Sequence, residues 1–142
     1  MAIESEGKIL KLLPEDFLVI QCPPEYDLKL PGPSKLSTYS FFSLSITPHE
    51  RSLIIPKDSL GNLFNPEELQ KLKVNGDWKC YKVEGQLDFG LVGILHSILT
   101  PLKEAGVSVL AVGTYDTDYF LVKAENAEKA KRSLLNQGFQ II

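Results

Sequence analysis

The sequence predicts an α+β fold, with antiparallel sheets and helices on one face. Three observations carry this. Residues 77–142 show apolar patterns that switch between period 2 and period 3.6, in the order strand, helix, strand, strand, helix, strand. Both helices in that stretch are followed by a glycine, Gly106 and Gly138. Residues 1–76 echo the same order, with an irregular segment where the first helix would fall. A β-α-β-β-α-β order in about 65 residues is the ferredoxin-like split βαβ arrangement. Two fused units are therefore expected: a degenerate one over residues 1–76 and a complete one over residues 77–142.

In the first unit, Lys8–Leu13 and Phe17–Cys22 read as strands, or as one strand bent at Pro14. Pro23 to Ser37 contains Pro23, Pro24, Pro31, Gly32 and Pro33 and reads as a surface loop. Thr38–Ile46 is aromatic and β-branched, and Arg51–Pro56 reads as its hairpin partner across Thr47-Pro48-His49-Glu50. Asn65-Pro66-Glu67-Glu68 is a helix start: Asn65 caps, Pro66 takes the first helical position, and Glu68 completes a capping box. That helix is expected to end near Lys71–Lys73, and Asn75-Gly76-Asp77 reads as a turn.

In the second unit, Trp78–Val83 alternates as a strand and Gly85–Gly90 reads as a loop. Leu91, Ile94, Leu95, Ile98, Leu99 and Leu102 share one helical face in 91–105, with Pro101 inside as a kink or loosening point. Val107–Val112 and Asp118–Lys123 form a hairpin across Gly113–Thr117. Asn126 is expected to cap a helix that buries Ala127, Ala130, Leu134 and Leu135, and Phe139–Ile142 is the last strand.

Composition narrows the function. The chain has 142 residues, 44% hydrophobic and 23% charged, which is enough apolar content for a core. No apolar run approaches the roughly 20 residues of a bilayer span, so no membrane is expected. The formal charge of -3 argues against a nucleic-acid partner. The acidic start, Met1 to Lys8, does not read as a secretory signal, and Cys22 and Cys80 form no CxxC pair. The cytoplasm is the default compartment.

No catalytic set stands out. There is no G-x-S-x-G, no phosphate-binding loop and no dinucleotide fingerprint. His49 and His96 have no second ligand at metal spacing, so neither metal nor cofactor is expected. An RNA-recognition strand signature is missing, and the loop Gln86–Gly90 offers Asp88 where an acylphosphatase would need a base. A binding module for a small zwitterion fits better. The segment Asp88–Gly93 opens a helix whose free N–H groups and dipole suit a carboxylate. Gly90 and Gly93 allow close backbone approach. Asp88 reads equally as a helix cap or as a partner for an ammonium group. Asp116 and Asp118 are two apart, so in extended chain they face one side, where a cation would relieve their repulsion.

The runs Leu87-Asp88-Phe89, Gly93-Ile94-Leu95, Pro101 to Val109 and Thr114 to Val122 closely resemble the ACT domain family. Among its members they are most similar to small ACT proteins related to an arginine sensor. The Thr-Tyr-x-Thr-Asp-Tyr-x-Leu-Val run is the most distinctive part, and the first unit's Tyr39-Ser40-Phe41-Phe42-Ser43 resembles a leading, degenerate ACT unit. The resemblance implies amino-acid binding without catalysis, at a junction where ACT units pair side by side. Carried over by position, it implies ligand contacts from Leu91, Val92, Gly93 and Ile94, from Ser108 and Val109 on the second strand, and from Tyr115, Asp116, Thr117 and Asp118. An acid at position 118 engages a basic side chain in the arginine-sensing relatives. Position 91 is Leu, where a sensor of a basic amino acid can carry an acid, so a neutral amino acid stays open. A homodimer and a protein effector are expected partners. A ligand-free dimerisation or docking module is the competing expectation.

Overall fold

The structure, a computed structural model, describes residues 8–85 and 93–142. Contacts group the described residues into two compact units. One takes those up to Pro14 together with those from Trp78 to Ile142; the other is Glu15–Asp77. Both boundaries fall inside strands, β1 (Ile9–Cys22) and β4 (Lys73–Val83). The sequence division placed all of 1–76 in one unit. Here the start of β1 instead groups with the C-terminal residues, because it is hydrogen-bonded to the end of the chain.

β1 is one 14-residue strand that contains Pro14. Pro14 falls between two pairing runs. Leu12 N–H is the last to bond toward the chain end, at 3.0 Å from Ile142 O, and pairing with β3 (Arg51–Pro56) begins at Phe17. A missing N–H at that point removes no ladder bond.

Within Glu15–Asp77 the strand order is β2 (Ser43–Ile46), β3, β1, β4. Read in chain order this is 2-3-1-4, the ferredoxin-like order, built on a unit whose first helix is lacking. Residues 23–42 carry a single helical turn, α1 (Pro33–Leu36), inside the expected loop, with Pro33 at the start where it loses no bond. The expected strand from Thr38 begins only at Ser43. Thr38 and Tyr39 instead close turns onto Lys35 O and Leu36 O, and the Tyr39 ring stacks on Phe42 at 5.8 Å. After β3 come a 3-10 turn (Lys57–Ser59), α2 (Leu60–Leu63) and α3 (Pro66–Leu69). The Asn65 box is formed: Asn65 Oδ1 accepts the Glu68 N–H at 2.8 Å, and Glu68 Oε1 accepts the Asn65 N–H at 3.0 Å. The helix nevertheless stops at Leu69 rather than near Lys71–Lys73, because β4 starts at Lys73.

The expected turn Asn75–Asp77 lies within β4. Gly76 is there for close approach, since a Cβ would stand 2.3 Å from Leu18 Cδ2. Leu18, Ile20, Leu53, Ile55 and Phe64 form this unit's core. The Tyr26 hydroxyl donates to Glu68 Oε2 and ties the irregular segment to α3. Burial, then that hydrogen bond, pushes the Tyr26 phenol up to about 12.

In the other unit the strand order is β7 (Gln140–Ile141), β1, β4, β6 (Asp118–Lys123), β5 (Val109–Gly113). The ferredoxin-like order would set the last strand against β4. Here β7 pairs parallel with Ile9 and Leu10 of β1, which stands between them. β5 and β7 are shorter than the expected strands, starting at Val109 and Gln140. Helices α4 (Ile94–Glu104) and α5 (Ala127–Asn136) cover one face. Tyr81, Val83, Ile98, Leu102, Phe120 and Leu134 are buried between helices and sheet, and Tyr81 stacks on its cross-strand partner Phe120 at 5.0 Å. Pro101 is buried inside α4, and the helix continues past it, with the Ala105 N–H at 3.0 Å from Pro101 O.

Both helices end in the same motif. Gly106 (φ +75) and Val107 donate to Lys103 O and Leu102 O, while Gly138 (φ +88) and Phe139 donate to Leu135 O and Leu134 O. In each case the residue after the glycine packs into the core beside the carbonyl's owner, Val107 with Leu102 and Phe139 with Leu134. The expected N-cap on α5 is absent: Asn126 makes no side-chain cap bond, because a 3-10 turn, Ala124–Asn126, feeds the helix directly.

Gly106→Ala and Gly138→Ala should each lose about 1 kcal/mol in urea denaturation, because an L side chain is strained at positive φ. Gly61→Ala, in α2 with open space around it, should be neutral or stabilising. Tyr26 holds its proton more tightly folded than unfolded. Its contribution should therefore be complete below the ordinary tyrosine value of 10 and lost as pH rises from there to about 12. Tyr26→Phe should flatten that part of the stability–pH curve.

Candidate functional site

The candidate residues fall at two ends of one hairpin. β6 pairs with β5 from Val109↔Val122 to Gly113↔Asp118, and with β4 from Trp78↔Lys123 to Lys82↔Tyr119. The C-terminal end of β4, the turn 114–117 and Asp118 therefore lie at the same end of the sheet. Ser108 and Val109 lie at the other. Val109 and Gly113 are four residues apart on one strand, roughly 13 Å at about 3.3 Å per residue.

At the first end the turn is closed by its own threonines. The Thr114 N–H donates to Thr117 O at 2.9 Å, and the Thr114 hydroxyl donates to the same oxygen at 2.8 Å. Tyr115 is 79% exposed at the tip, and Asp116 is exposed beside it. Asp118 is half-buried at the start of β6, and its carboxylate lies over Gly113, where a Cβ would sit 3.4 Å from Oδ1. Thr117 differs from the other three. It is 4% exposed, and its hydroxyl donates to Val83 O at 2.7 Å. The position between the two aspartates thus points inward.

β4 leaves the ladder at this point. The Glu84 N–H turns to Ile9 O at 2.9 Å, and the Glu84 carboxylate lies 3.9 Å from Lys82 Nζ. Tyr119 stands opposite Lys82, and burial raises its phenol above the ordinary value. Cys80, Glu84 and Asp116 push it the same way. Glu84 and Asp116 are thus both within electrostatic reach of Tyr119. The carboxylates of Glu84, Asp116 and Asp118 outnumber Lys82 and make this end acidic, suited to an ammonium or another cation.

Of the expected helix-mouth residues, Leu91 and Val92 lie outside the described residues. Gly93 is exposed at the start of α4 with φ +87, its carbonyl accepts the Ser97 N–H at 2.8 Å, and no side chain caps the helix. Ile94 is half-buried and packs against the unit's core. Ser108 is exposed just before β5, and Val109 is half-buried on it. A surface hollow of about 450 Å³ lies on the outer face of α4, at His96, Leu99, Thr100, Lys103 and Glu104, and includes none of the expected ligand residues. Among the described residues no cluster of His, Cys, Asp or Glu is placed to hold a metal, and no helix is long and apolar enough to cross a membrane.

The hairpin and its helices, with the turn between β5 and β6 set against the end of β4, correspond to a known family model: residues 73–136 match the ACT domain. Over those residues the chain is similar to the ACT domain. The mouse protein named cytosolic arginine sensor for mTORC1 subunit 1 is 32% identical over 109 residues, which is 74% of this chain and 32% of that protein. The chain thus spans about a third of the length of that relative. A structure of a protein from Agrobacterium tumefaciens superposes with a TM-score of 0.76 at 24% identity, covering 94% of this chain and 91% of the other. The regulatory subunit of aspartate kinase from Thermus flavus superposes at 0.61 and 11% identity, covering 90% and 95%. These likenesses show an α+β, ferredoxin-like ACT fold.

Neither Glu84 nor Tyr119 was among the site residues expected from the sequence. The signal was present in the alternation of both strands, since Lys82 and Tyr119 share a register position and a face. Asp116→Asn should lower the Tyr119 pKa while leaving it above the ordinary value, because burial is the larger cause. Ultraviolet titration of the variant against wild type, with Tyr119→Phe to assign the band, checks this.

Proposed function

We propose that this chain is a non-catalytic regulatory module that binds an amino acid, with the ligand held where two ACT domains from two copies of the chain meet. The register of the β5–β6 hairpin carries this reading. Ser108 and Val109 lie roughly 13 Å along the hairpin from Asp118, at about 3.3 Å per residue. That is too far for one small zwitterion to touch both within one domain. A second copy that sets its Ser108 end against the first copy's acidic end brings the two sets together. β5 stands at the end of the strand order, the position from which such side-by-side pairing proceeds.

In this reading the N–H groups at the start of α4, including Gly93 and Ile94, hold the α-carboxylate. Asp116 and Asp118 meet the ammonium or a polar side chain, and Ser108 and Val109 close the far side. The name of the mouse relative supports an amino acid as ligand and the cytosol as location. Ligand and dimer then bias each other, since a ligand favours whichever arrangement it contacts best, and a protein effector reads the result. The exposed β5 edge also fits a domain that only dimerises. That second reading expects dimers and no ligand.

Calorimetry against each of the standard amino acids should show binding by at least one, with Asp118→Ala weakening it tenfold or more. Heat from none would remove the ligand reading and leave the dimerisation reading. Mixing Asp118→Ala chains with Val109→Trp chains should restore about a quarter of the sites, because a two-fold dimer of one of each keeps one intact junction. No restoration would place the whole ligand within one copy.

A further inference from the structure

We propose that the Glu15–Asp77 unit carries a binding site of its own, for a short peptide with free termini. It is a hollow on the sheet face turned away from that unit's core. The site goes beyond the dimer junction and shares no residue with it.

The hollow has a volume of about 240 Å³ and spans the neighbouring strands β3, β1 and β4. Leu18, Ile20 and Cys22 of β1 belong to the core, so alternation sets Val19 and Gln21 on the opposite face. Gln21 is paired in register with Ser52 of β3. Lys73 and Asn75, two apart on β4, line the other side, and Glu50, just before β3, completes the rim. Half-buried Val19 gives an apolar floor with polar groups standing around it.

The two charged residues carry the inference. Glu50 and Lys73 line one hollow and do not pair with each other, and among the described residues neither forms a salt bridge. They stand on opposite sides of β1, and two strand spacings are about 10 Å. Glu50 is held in place by its turn. Its N–H donates to the Thr47 hydroxyl at 3.1 Å, and its carbonyl accepts the Thr47 N–H at 3.0 Å. Its Oε1 accepts the Gln21 side-chain amide at 3.3 Å, which leaves Oε2 for another donor.

A carboxylate and an ammonium held apart match a molecule with the opposite charges at its two ends. The peptide's ammonium meets Glu50 and its carboxylate meets Lys73. A single α-amino acid carries both charges on one carbon and reaches one wall at a time. Two extended residues span about 7 Å, and the flexible stem of Lys73 takes up the difference. The peptide group between them brings one donor and one acceptor, which the Gln21 amide and the Ser52 hydroxyl can meet.

The test titrates diglycine into the isotope-labelled chain and follows backbone and side-chain amides by NMR. Diglycine at millimolar concentration should shift the amides of Val19, Gln21, Ser52 and Lys73, including the Gln21 side chain. Glycine, N-acetyldiglycine and diglycinamide shorten the molecule or remove one charge, and each should bind at least fivefold more weakly. These comparisons use the wild-type chain, so they do not depend on a variant folding. Glu50→Gln and Lys73→Gln should each weaken diglycine at least fivefold. Glu50→Lys combined with Lys73→Glu reverses the two walls and should bind more tightly than either of those changes alone. The inference is overturned if diglycine shifts nothing, or if glycine or either capped form binds equally well. Shifts confined to residues 108–118 would place the peptide at the dimer junction and overturn it too.

Discussion

The arrangement at the acidic end of the hairpin depends on how β4 stops. A strand in mid-sheet has its carbonyls and N–H groups taken by neighbours on both sides, and a buried one left open costs about 1–3 kcal/mol. β4 meets this constraint at its last peptide by recruiting a threonine hydroxyl on one side and the Ile9 carbonyl on the other. The turn that supplies the hydroxyl also carries the exposed Tyr115–Asp116 tip.

The start of the chain supplies the other half of that constraint. β1 gives Ile9 O to the Glu84 N–H and also pairs with β7. A residue near one terminus thus fixes both the last strand and the end of β4. This pairing is what the sequence could not announce. Local alternation in Lys8–Leu13 marks a strand and is silent about its neighbours, and the continuity of β1 through Pro14 depends on a change of partner at that residue. The turn expected at Asn75–Asp77 misled for a related reason, although the division between the two units does fall at Asp77. Asn-Gly-Asp is strong turn chemistry, but Gly76 is used for its lack of a Cβ beside Leu18, a tertiary demand with no local signature.

What was legible is what local physics decides. The Asn65 capping box, the two glycine helix stops and the hairpin through 114–117 are each short-range devices, and each is found. The Asn126 cap failed because a 3-10 turn entered the helix first. Among the expected ligand residues, the alternation argument that put Asp116 and Asp118 on one side also implied that Thr117 faces the other. Family resemblance set all four turn residues against a ligand, whereas burial assigns Thr117 to the protein interior.

That assignment bears on how the proposed site would respond to a ligand. A pocket whose contacts were independent would bind without transmitting anything. Here the acidic turn and the end of β4 are joined at one peptide group, by the Thr117 hydroxyl on Val83 O. In the proposed reading, Asp116 or Asp118 meets the cationic end of a ligand and the N–H groups at the start of α4 meet its carboxylate. Two weak contacts made in the right spacing then act as one strong one, since the second is prepaid in conformational freedom by the first. A zwitterion, with its opposite charges at a fixed separation, is the ligand class that the proposed site would favour. A simple cation, or a simple anion, would engage one arm and leave the other unused.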